Sequence, residues 1–130
     1  MITAKISKKF NIGFNGTINS TKTWTGLKNN KAESWWGSAL YFNYDPKDWL
    51  GITLRTELFG DEKQYKVFSG ASEGGNVFAA TLSANLKTGG FIFIPEFRID
   101  NTKNAVLFTN KNGVFKKSAS SFLIAAIYSF

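Results

Sequence analysis

Hydrophobic and polar residues alternate along most of the chain with a period of two. The segment FNIGFNGTIN places Phe10, Ile12 and Phe14 on one side and polar or small residues on the other. Such alternation is typical of a β-strand with one apolar face. Five further segments share the pattern, at 36–44, 51–61, 77–87, 91–100 and 121–130. No segment has a convincing helical period, so the sequence predicts an all-β fold with six long strands.

The connections between these segments alternate in length. Residues 45–48 and 87–90 are short and contain proline or glycine, which is typical of tight turns. Residues 18–31, 61–76 and 101–117 are long and polar. Strands of about ten residues with short turns at one end and long loops at the other are typical of outer-membrane barrels. We therefore predict an antiparallel up-and-down meander of about six long strands that forms part of a transmembrane β-barrel.

Aromatic residues mark the ends of the predicted strands. The chain contains 13 Phe, 4 Trp and 4 Tyr. Trp36 and Tyr44 share a strand face and are separated by roughly 20 Å along the barrel axis at a ~40° tilt, close to the ~25 Å between aromatic girdles. The segment FLIAAIYSF ends with Tyr128 and Phe130 on one face. The residues predicted to face lipid or its interfaces are Trp36, Tyr44, Phe93, Phe97, Phe122 and Tyr128.

The opposite strand face carries charges of both signs near the middle of the strands. These predicted lumen-lining charges are Arg55, Glu57, Glu96, Arg98 and Asp100. Glu57 and Glu96 also admit an interpretation as paired carboxylates for glycoside hydrolysis. The neighbouring arginines favour the other interpretation, in which the charges pair with one another in a water-filled lumen.

Composition narrows the possible functions. The chain has no Cys and no His, so the usual catalytic triads, general bases and zinc sites cannot be built, and we predict neither an enzyme nor a metal or cofactor site. The net charge is +7, but the lysines are spread over loops and do not form one stripe, which disfavours nucleic acid as a partner. The start, MITAKISKKF, lacks the apolar core of a secretory signal peptide, and no segment has the roughly 18 apolar residues of a transmembrane helix.

These segments resemble one family, the OmpL-like porins known as beta-barrel porin-2. The similar parts are residues 5–16, 35–62 and 80–100 and the terminal strand, with the Arg-x-Glu pattern at 55–57 and the Glu-x-Arg-x-Asp pattern at 96–100 as the more specific features. The resemblance implies a porin in the outer membrane of a Gram-negative bacterium, with outer-membrane lipid, barrel-assembly machinery and small polar solutes as partners. It also implies that Phe130 and Tyr128 belong to a C-terminal assembly signal.

The strand count predicts that residues 1–130 form one partial barrel domain. Six strands are fewer than the eight of the smallest single-chain barrels, so we expect the C-terminal segment of a longer barrel whose signal peptide is upstream or lost. Counting 65–69 or 105–109 as further strands would instead give a small closed barrel. The polar lumen predicts passive diffusion of small solutes; the alternatives are a non-conducting structural barrel and a soluble β-barrel that binds an apolar ligand. Pro95 lies mid-strand, where we expect a β-bulge.

Overall fold

A computed structural model of the chain describes residues 1–22 and 32–129, and these residues form nine β-strands. No helix in those two ranges is long and apolar enough to cross a membrane. The strands are β1 Ile2–Lys5, β2 Phe10–Lys22, β3 Ala32–Lys47, β4 Leu50–Asp61, β5 Gly75–Thr88, β6 Phe91–Thr102, β7 Phe108–Thr109, β8 Phe115–Lys116 and β9 Ser118–Tyr128.

Seven strands form one antiparallel sheet in the order β1-β2-β3-β4-β5-β6-β9. Its six long members are the six strands that the alternation predicts, and they follow one another as a meander. The all-β antiparallel prediction is thus confirmed. Two features were not predicted: the short edge strand β1, and the β7–β8 hairpin within the connection from β6 to β9.

The sheet is not closed within the described residues, where β1 and β9 each pair on one side only. Residues 65–69 form turns, and of residues 105–109 only Phe108 and Thr109 are in a strand, which pairs with β8 outside the main sheet. The alternative of a small barrel closed by these two segments is therefore wrong.

The short connections are tight turns, as predicted. Thr88 pairs with Phe91, and the two residues between them, Gly89 and Gly90, both have positive φ angles of 51° and 84°. Two positive φ angles are what a type I′ hairpin turn requires, and glycine adopts them without strain. At the other short turn, β3 continues to Lys47 and β4 begins at Leu50.

The β-bulge expected at Pro95 is wrong, since the β5–β6 register is the same on both sides of this residue. Only the residue pairs around Pro95 are missing from the β5–β6 hydrogen-bond ladder, because proline has no N–H to donate. A register shift occurs instead on β3 between Tyr44 and Lys47, next to Pro46. The proline that disturbs the register is therefore the one beside a turn, in agreement with the general preference of proline for bulges and strand ends.

The long loops are shorter than the sequence predicted, because the strands extend into them. β2 runs to Lys22, while residues 23–31 lie outside the described residues. The second loop covers residues 62–74, and the third contains the β7–β8 hairpin. The strands are accordingly 11 to 16 residues long, apart from the short β1, β7 and β8.

The continuous register sorts side chains into an apolar face and a polar face. Leu54, Leu82 and Phe97 are register partners on neighbouring strands, and the adjacent row toward the long loops, Arg55, Thr81 and Arg98, is polar. Because side chains alternate across a strand, the constant register of β4, β5 and β6 keeps these rows on opposite faces; toward the short turns the polar face also carries Ile92 and Ile94 of β6 and Ile127 of β9.

Candidate functional site

Four of the predicted lumen charges lie on two adjacent rows of the polar face. On one row Arg55 of β4 and Arg98 of β6 flank Thr81 of β5. On the next row toward the long loops, Glu57 of β4 and Asp100 of β6 flank Ala79 of β5 in the same way. The meander therefore places two cations and two anions on strands that are not direct neighbours, close enough for long side chains to meet across β5.

Arg98 is the centre of this charge cluster. Its Nε donates to both carboxylate oxygens of Asp100, at 3.1 and 3.0 Å, and its Nη2 donates to Asp100 Oδ1 at 2.8 Å. Its Nη1 reaches across β5 to donate to Glu57 Oε2 and, at 3.3 Å, to the Thr81 hydroxyl. All three guanidinium nitrogens are thus engaged, and the side chain is directed toward the long loops. Such bidentate pairs fix geometry as well as contributing energy.

Arg55 completes the cluster from the other side. Its Nε lies 3.3 Å from Glu57 Oε2, the same oxygen that binds Arg98. The alignment is too poor for a hydrogen bond, and among the described residues this nitrogen has no other acceptor. The side chains of the four residues are 19% to 33% exposed, so the cluster is half-buried yet still reached by solvent. The predicted mutual pairing of Glu57 with both arginines is present.

Two small residues of β5 make the cross-strand contact possible. Ala79 and Thr81 are each only 2% exposed, because Ala79 lies between Glu57 and Asp100 and Thr81 lies between Arg55 and Arg98. A larger side chain at either position would occupy the space through which Arg98 reaches Glu57. The sequence analysis missed both residues, since an alanine and a threonine in an alternating strand carry no distinctive signal.

Glu96, the fifth predicted charge, is not part of the cluster. It lies on the next row toward the short turns. Its register partner on β5 is Ser83, whose own partner on β4 is Thr53. Thr53 donates a 2.8 Å hydrogen bond to Asn43 Oδ1 on the same row. Within the described residues Glu96 forms no ion pair of 4.0 Å or less.

Apolar side chains from two long loops lie over the charge cluster. Val67 of the 62–74 loop, together with Leu107 and Phe108, lines a cavity of about 260 Å³ whose other walls include Glu57, Arg98 and Asp100. Both loops therefore fold toward the polar face rather than away from it. The sequence predicted long polar loops and gave no indication of this inward direction.

Asp61 fixes the first of these loops. Its carboxylate is fully buried and accepts hydrogen bonds from the backbone N–H groups of Tyr65, Lys66 and Phe68, at 2.7, 2.8 and 3.0 Å. Phe68 is itself 1% exposed. Asp61 lies just beyond the apolar rows of β4. Burial raises the pKa of Asp61, but the backbone N–H groups of residues 65–68 together outweigh it and lower the pKa below its ordinary value of 3.8.

The aromatic residues of the apolar face are more exposed than the charge cluster. The six residues predicted to face lipid all lie on this face and are 39% to 65% exposed: Trp36, Tyr44, Phe93, Phe97, Phe122 and Tyr128. Trp36 covers Gly60, its cross-strand partner, so closely that a Cβ on that glycine would lie 2.2 Å from the indole nitrogen. Any other residue at position 60 would therefore require the Trp36 indole to move.

The end of β9 is organised around aromatic rings. Tyr128 packs on Phe91, with ring centroids 4.5 Å apart, and Phe91 stacks on Phe93 at 5.8 Å. The pairing brings the terminal strand to the Gly89–Gly90 turn, where Ser129 N donates to the Gly90 carbonyl at 2.9 Å. Phe130, the other residue predicted to belong to an assembly signal, lies outside the described residues.

Fold and site together define the class of protein: this is a sheet of the β-barrel type. It combines a meander of long antiparallel strands with half-buried charges on one face and exposed aromatic residues on the other. Comparison with protein families gives a more specific result. The chain belongs to the family described as Putative beta-barrel porin-2, OmpL-like, whose model matches residues 1–130, the whole chain. No curated protein and no solved structure matches the chain.

Proposed function

We propose that this sheet is part of a porin barrel in the outer membrane of a Gram-negative bacterium, and that its polar face lines a water-filled path for passive diffusion of small polar solutes. The observation that carries this proposal is the inverted distribution of polarity. Charged side chains are gathered and half-buried on one face, while large apolar side chains on the other face remain 39% to 65% exposed. Family membership supports the same proposal.

The inverted distribution disfavours a soluble barrel that binds an apolar ligand. In such a barrel the apolar face points inward, and ionic groups face bulk water. Contiguous apolar patches larger than a few hundred Å² are rare on soluble monomers and mark interaction with another apolar phase. A bilayer offers that phase to every long strand of the sheet at once, and strands of 11 to 16 residues reach or exceed the ~9–11 residues needed to cross it.

Catalysis forms no part of this proposal. The interpretation of Glu57 and Glu96 as a catalytic pair requires two carboxylates that are free to act on one substrate. Glu57 is instead engaged by Arg98 and Arg55, while Glu96 lies on a different row beside Thr53 and Ser83. This arrangement supports a role for Glu57 in holding the cluster together.

Conductance across a planar bilayer tests the proposed path. We expect the membrane-assembled protein to give discrete conductance steps in salt solution and a heat-sensitive mobility on detergent gels, as folded barrels do. A protein that remains monodisperse without detergent and never enters vesicles would contradict the membrane assignment.

Replacing Phe130 with Asp tests the proposed assembly signal. Phe130 has the same parity as Tyr128 in the sequence alternation, so we predict that an aspartate at 130 adds a charge to the face proposed to meet lipid and removes an aromatic residue of the proposed signal. Ser129→Asp is the control, because residue 129 has the opposite parity. We expect Phe130→Asp to reduce the folded fraction recovered from outer membranes far more than Ser129→Asp. Equal recovery of the two variants would contradict the assignment.

The inward loops favour a second candidate, a plugged barrel with a structural role. Val67, Leu107 and Phe108 cover the charge cluster and would narrow any path along it. Replacing residues 105–113 with a short Gly-Ser linker separates the two functions. A porin conducts before the change and somewhat more after it, whereas a plugged barrel conducts only after it.

A further inference from the structure

We infer that Glu96 gives the proposed lumen a local preference for small cations. The larger charge cluster beside it does not supply this preference. The inference deepens the proposed function and rests on the polar face being in contact with water. It concerns one residue, which the sequence grouped with four other charges and which the structure separates from them.

The charge cluster has no net charge to contribute. Arg55 and Arg98 supply two positive charges, and Glu57 and Asp100 supply two negative charges, all joined by contacts of 3.3 Å or less. A compact set of paired charges acts on a distant ion as a multipole, whose potential falls off faster than that of a single charge. In salt solution the remaining field is screened further, with a Debye length of about 8 Å at physiological ionic strength.

Glu96 lacks such compensation. Arg98 is two residues away on the same face, yet all three nitrogens of its guanidinium group are bound, to Asp100 and Glu57 on the side toward the long loops and to Thr81 on its own row. Lys87 has the same parity on β5 but is four residues from Ser83, about 13 Å along the strand and beyond the Debye length. Among the described residues, therefore, no cation forms an ion pair with the carboxylate of Glu96.

The surroundings of Glu96 supply oxygen ligands. The Ser83 hydroxyl is directly across from it on β5, and the Thr53 hydroxyl lies one strand further on β4; on the other side its register partner is Leu123 of β9, and none of these neighbours is a cation. Oxygen groups beside one carboxylate suit a hard monovalent or divalent cation that remains partly hydrated. A single carboxylate favours brief residence of such an ion rather than tight binding, and this is the behaviour that conduction requires.

A cysteine probe tests this charge preference without requiring conductance. The chain has no Cys, so Ser83→Cys, at the register partner of Glu96, introduces a single thiol. Its rates of modification by a cationic trimethylammonium and an anionic sulfonate methanethiosulfonate are measured in the vesicle-inserted protein. One elementary charge about 6 Å away in water changes each rate roughly threefold in opposite directions, so the cation-to-anion rate ratio should fall about tenfold when Glu96→Gln is added.

Two controls define the outcome. Glu96→Asp keeps the charge and should keep the rate ratio, while the double variant Arg98→Gln with Asp100→Asn removes one pair without net change and should alter the ratio by less than about twofold. An unchanged ratio in Glu96→Gln, or an equal fall in the paired double variant, would overturn the inference.

Reversal potentials across a salt gradient then separate this inference from the proposed function. If the barrel conducts, Glu96→Gln should bring the cation-to-anion permeability ratio toward one. A wild-type barrel that labels as expected but never conducts would refute the proposed diffusion path and leave the charge preference of Glu96 as a property of a closed lumen. A conducting barrel whose ion selectivity ignores Glu96→Gln would overturn the inference and leave the porin function intact.

Discussion

Leu82 and Ser83 are consecutive residues in the middle of β5, and their side chains lie on opposite faces of the sheet. Leu82 is 52% exposed and has Leu54 and Phe97 as register partners, whereas Ser83 lies beside Glu96 on the polar face. Replacing each in turn with lysine places the same charge at the same height in two different environments. This pair of variants provides a direct test of which face meets lipid.

The position of Leu82 determines the expected magnitude. It is four residues from Phe78 and four from Leu86, the outer apolar residues of β5, so about 13 Å of strand separates it from either one. At a ~40° tilt this is roughly 10 Å along the barrel axis, which puts Leu82 near the bilayer midplane. Lysine at that depth should destabilise the barrel by about 2–4 kcal/mol, or about 30- to 1,000-fold in the unfolding equilibrium.

Ser83→Lys should cost less than about 1 kcal/mol, because water in the lumen solvates the ammonium group and Glu96 attracts it. Urea titration of the protein in vesicles, followed by the heat-sensitive gel shift, measures both free energies of unfolding. In a soluble protein Leu82 would be an ordinary exposed surface residue, and its replacement would change stability by less than about 0.5 kcal/mol. A larger loss in Ser83→Lys than in Leu82→Lys would refute the assignment of the two faces.

Three further predictions concern the cluster, the first described loop and the topology. Ala79→Leu should destabilise by about 1–3 kcal/mol through overpacking beneath Arg98, while Ala80→Leu, on the opposite face, should be nearly neutral, as urea midpoints can show. The pKa of Asp61 is lower in the folded state than its ordinary 3.8, so the ionised carboxylate stabilises the loop fully above pH 3.8, and this stabilisation is lost as the pH falls through the folded-state pKa. Amide hydrogen exchange of residues 62–74 should therefore accelerate in that acid range. The variant Asp61→Asn should show the fast exchange already at pH 7. If the long loops are external, a cysteine at position 111 should react with an impermeant thiol reagent on intact cells and one at position 47 should not; the reverse pattern would invert the topology.

The period-two pattern predicted the six long strands and their two faces because the register is continuous across the middle of the sheet. With no extra residue inserted between neighbouring strands there, local alternation translates directly into side-chain placement. The spacing of Glu57 and Arg98 on their own strands was therefore enough to anticipate that the two could meet, although they are 41 residues apart in sequence.

Other features depend on contacts that a local pattern does not contain. The four residues of β1 are too few to display a period, and they are in a strand only because β2 offers an edge. The role of Asp61 depends on three backbone N–H groups four to seven residues later, and these converge only after the loop has folded around Phe68. The separation of Glu96 from the charge cluster arises because Arg98 turns toward Asp100, a rotamer choice that leaves no trace in strand periodicity.

The parity of the sheet limits how a closed barrel can be completed. Strand direction alternates along the order β1-β2-β3-β4-β5-β6-β9, so β1 and β9, the first and seventh strands, run parallel to each other. Bacterial single-chain barrels have an even number of antiparallel strands, and closure in that pattern requires an odd number of further strands between β1 and β9. Among the described residues β1 also covers only Asn11–Phe14 of β2, while residues 15–22 have no strand partner on that side. Since unpaired backbone groups in lipid cost several kcal/mol each, a membrane barrel must cover this edge as well. In a closed membrane barrel, the number and the length of the strands that would complete this sheet are therefore constrained by its parity and by its uncovered edge.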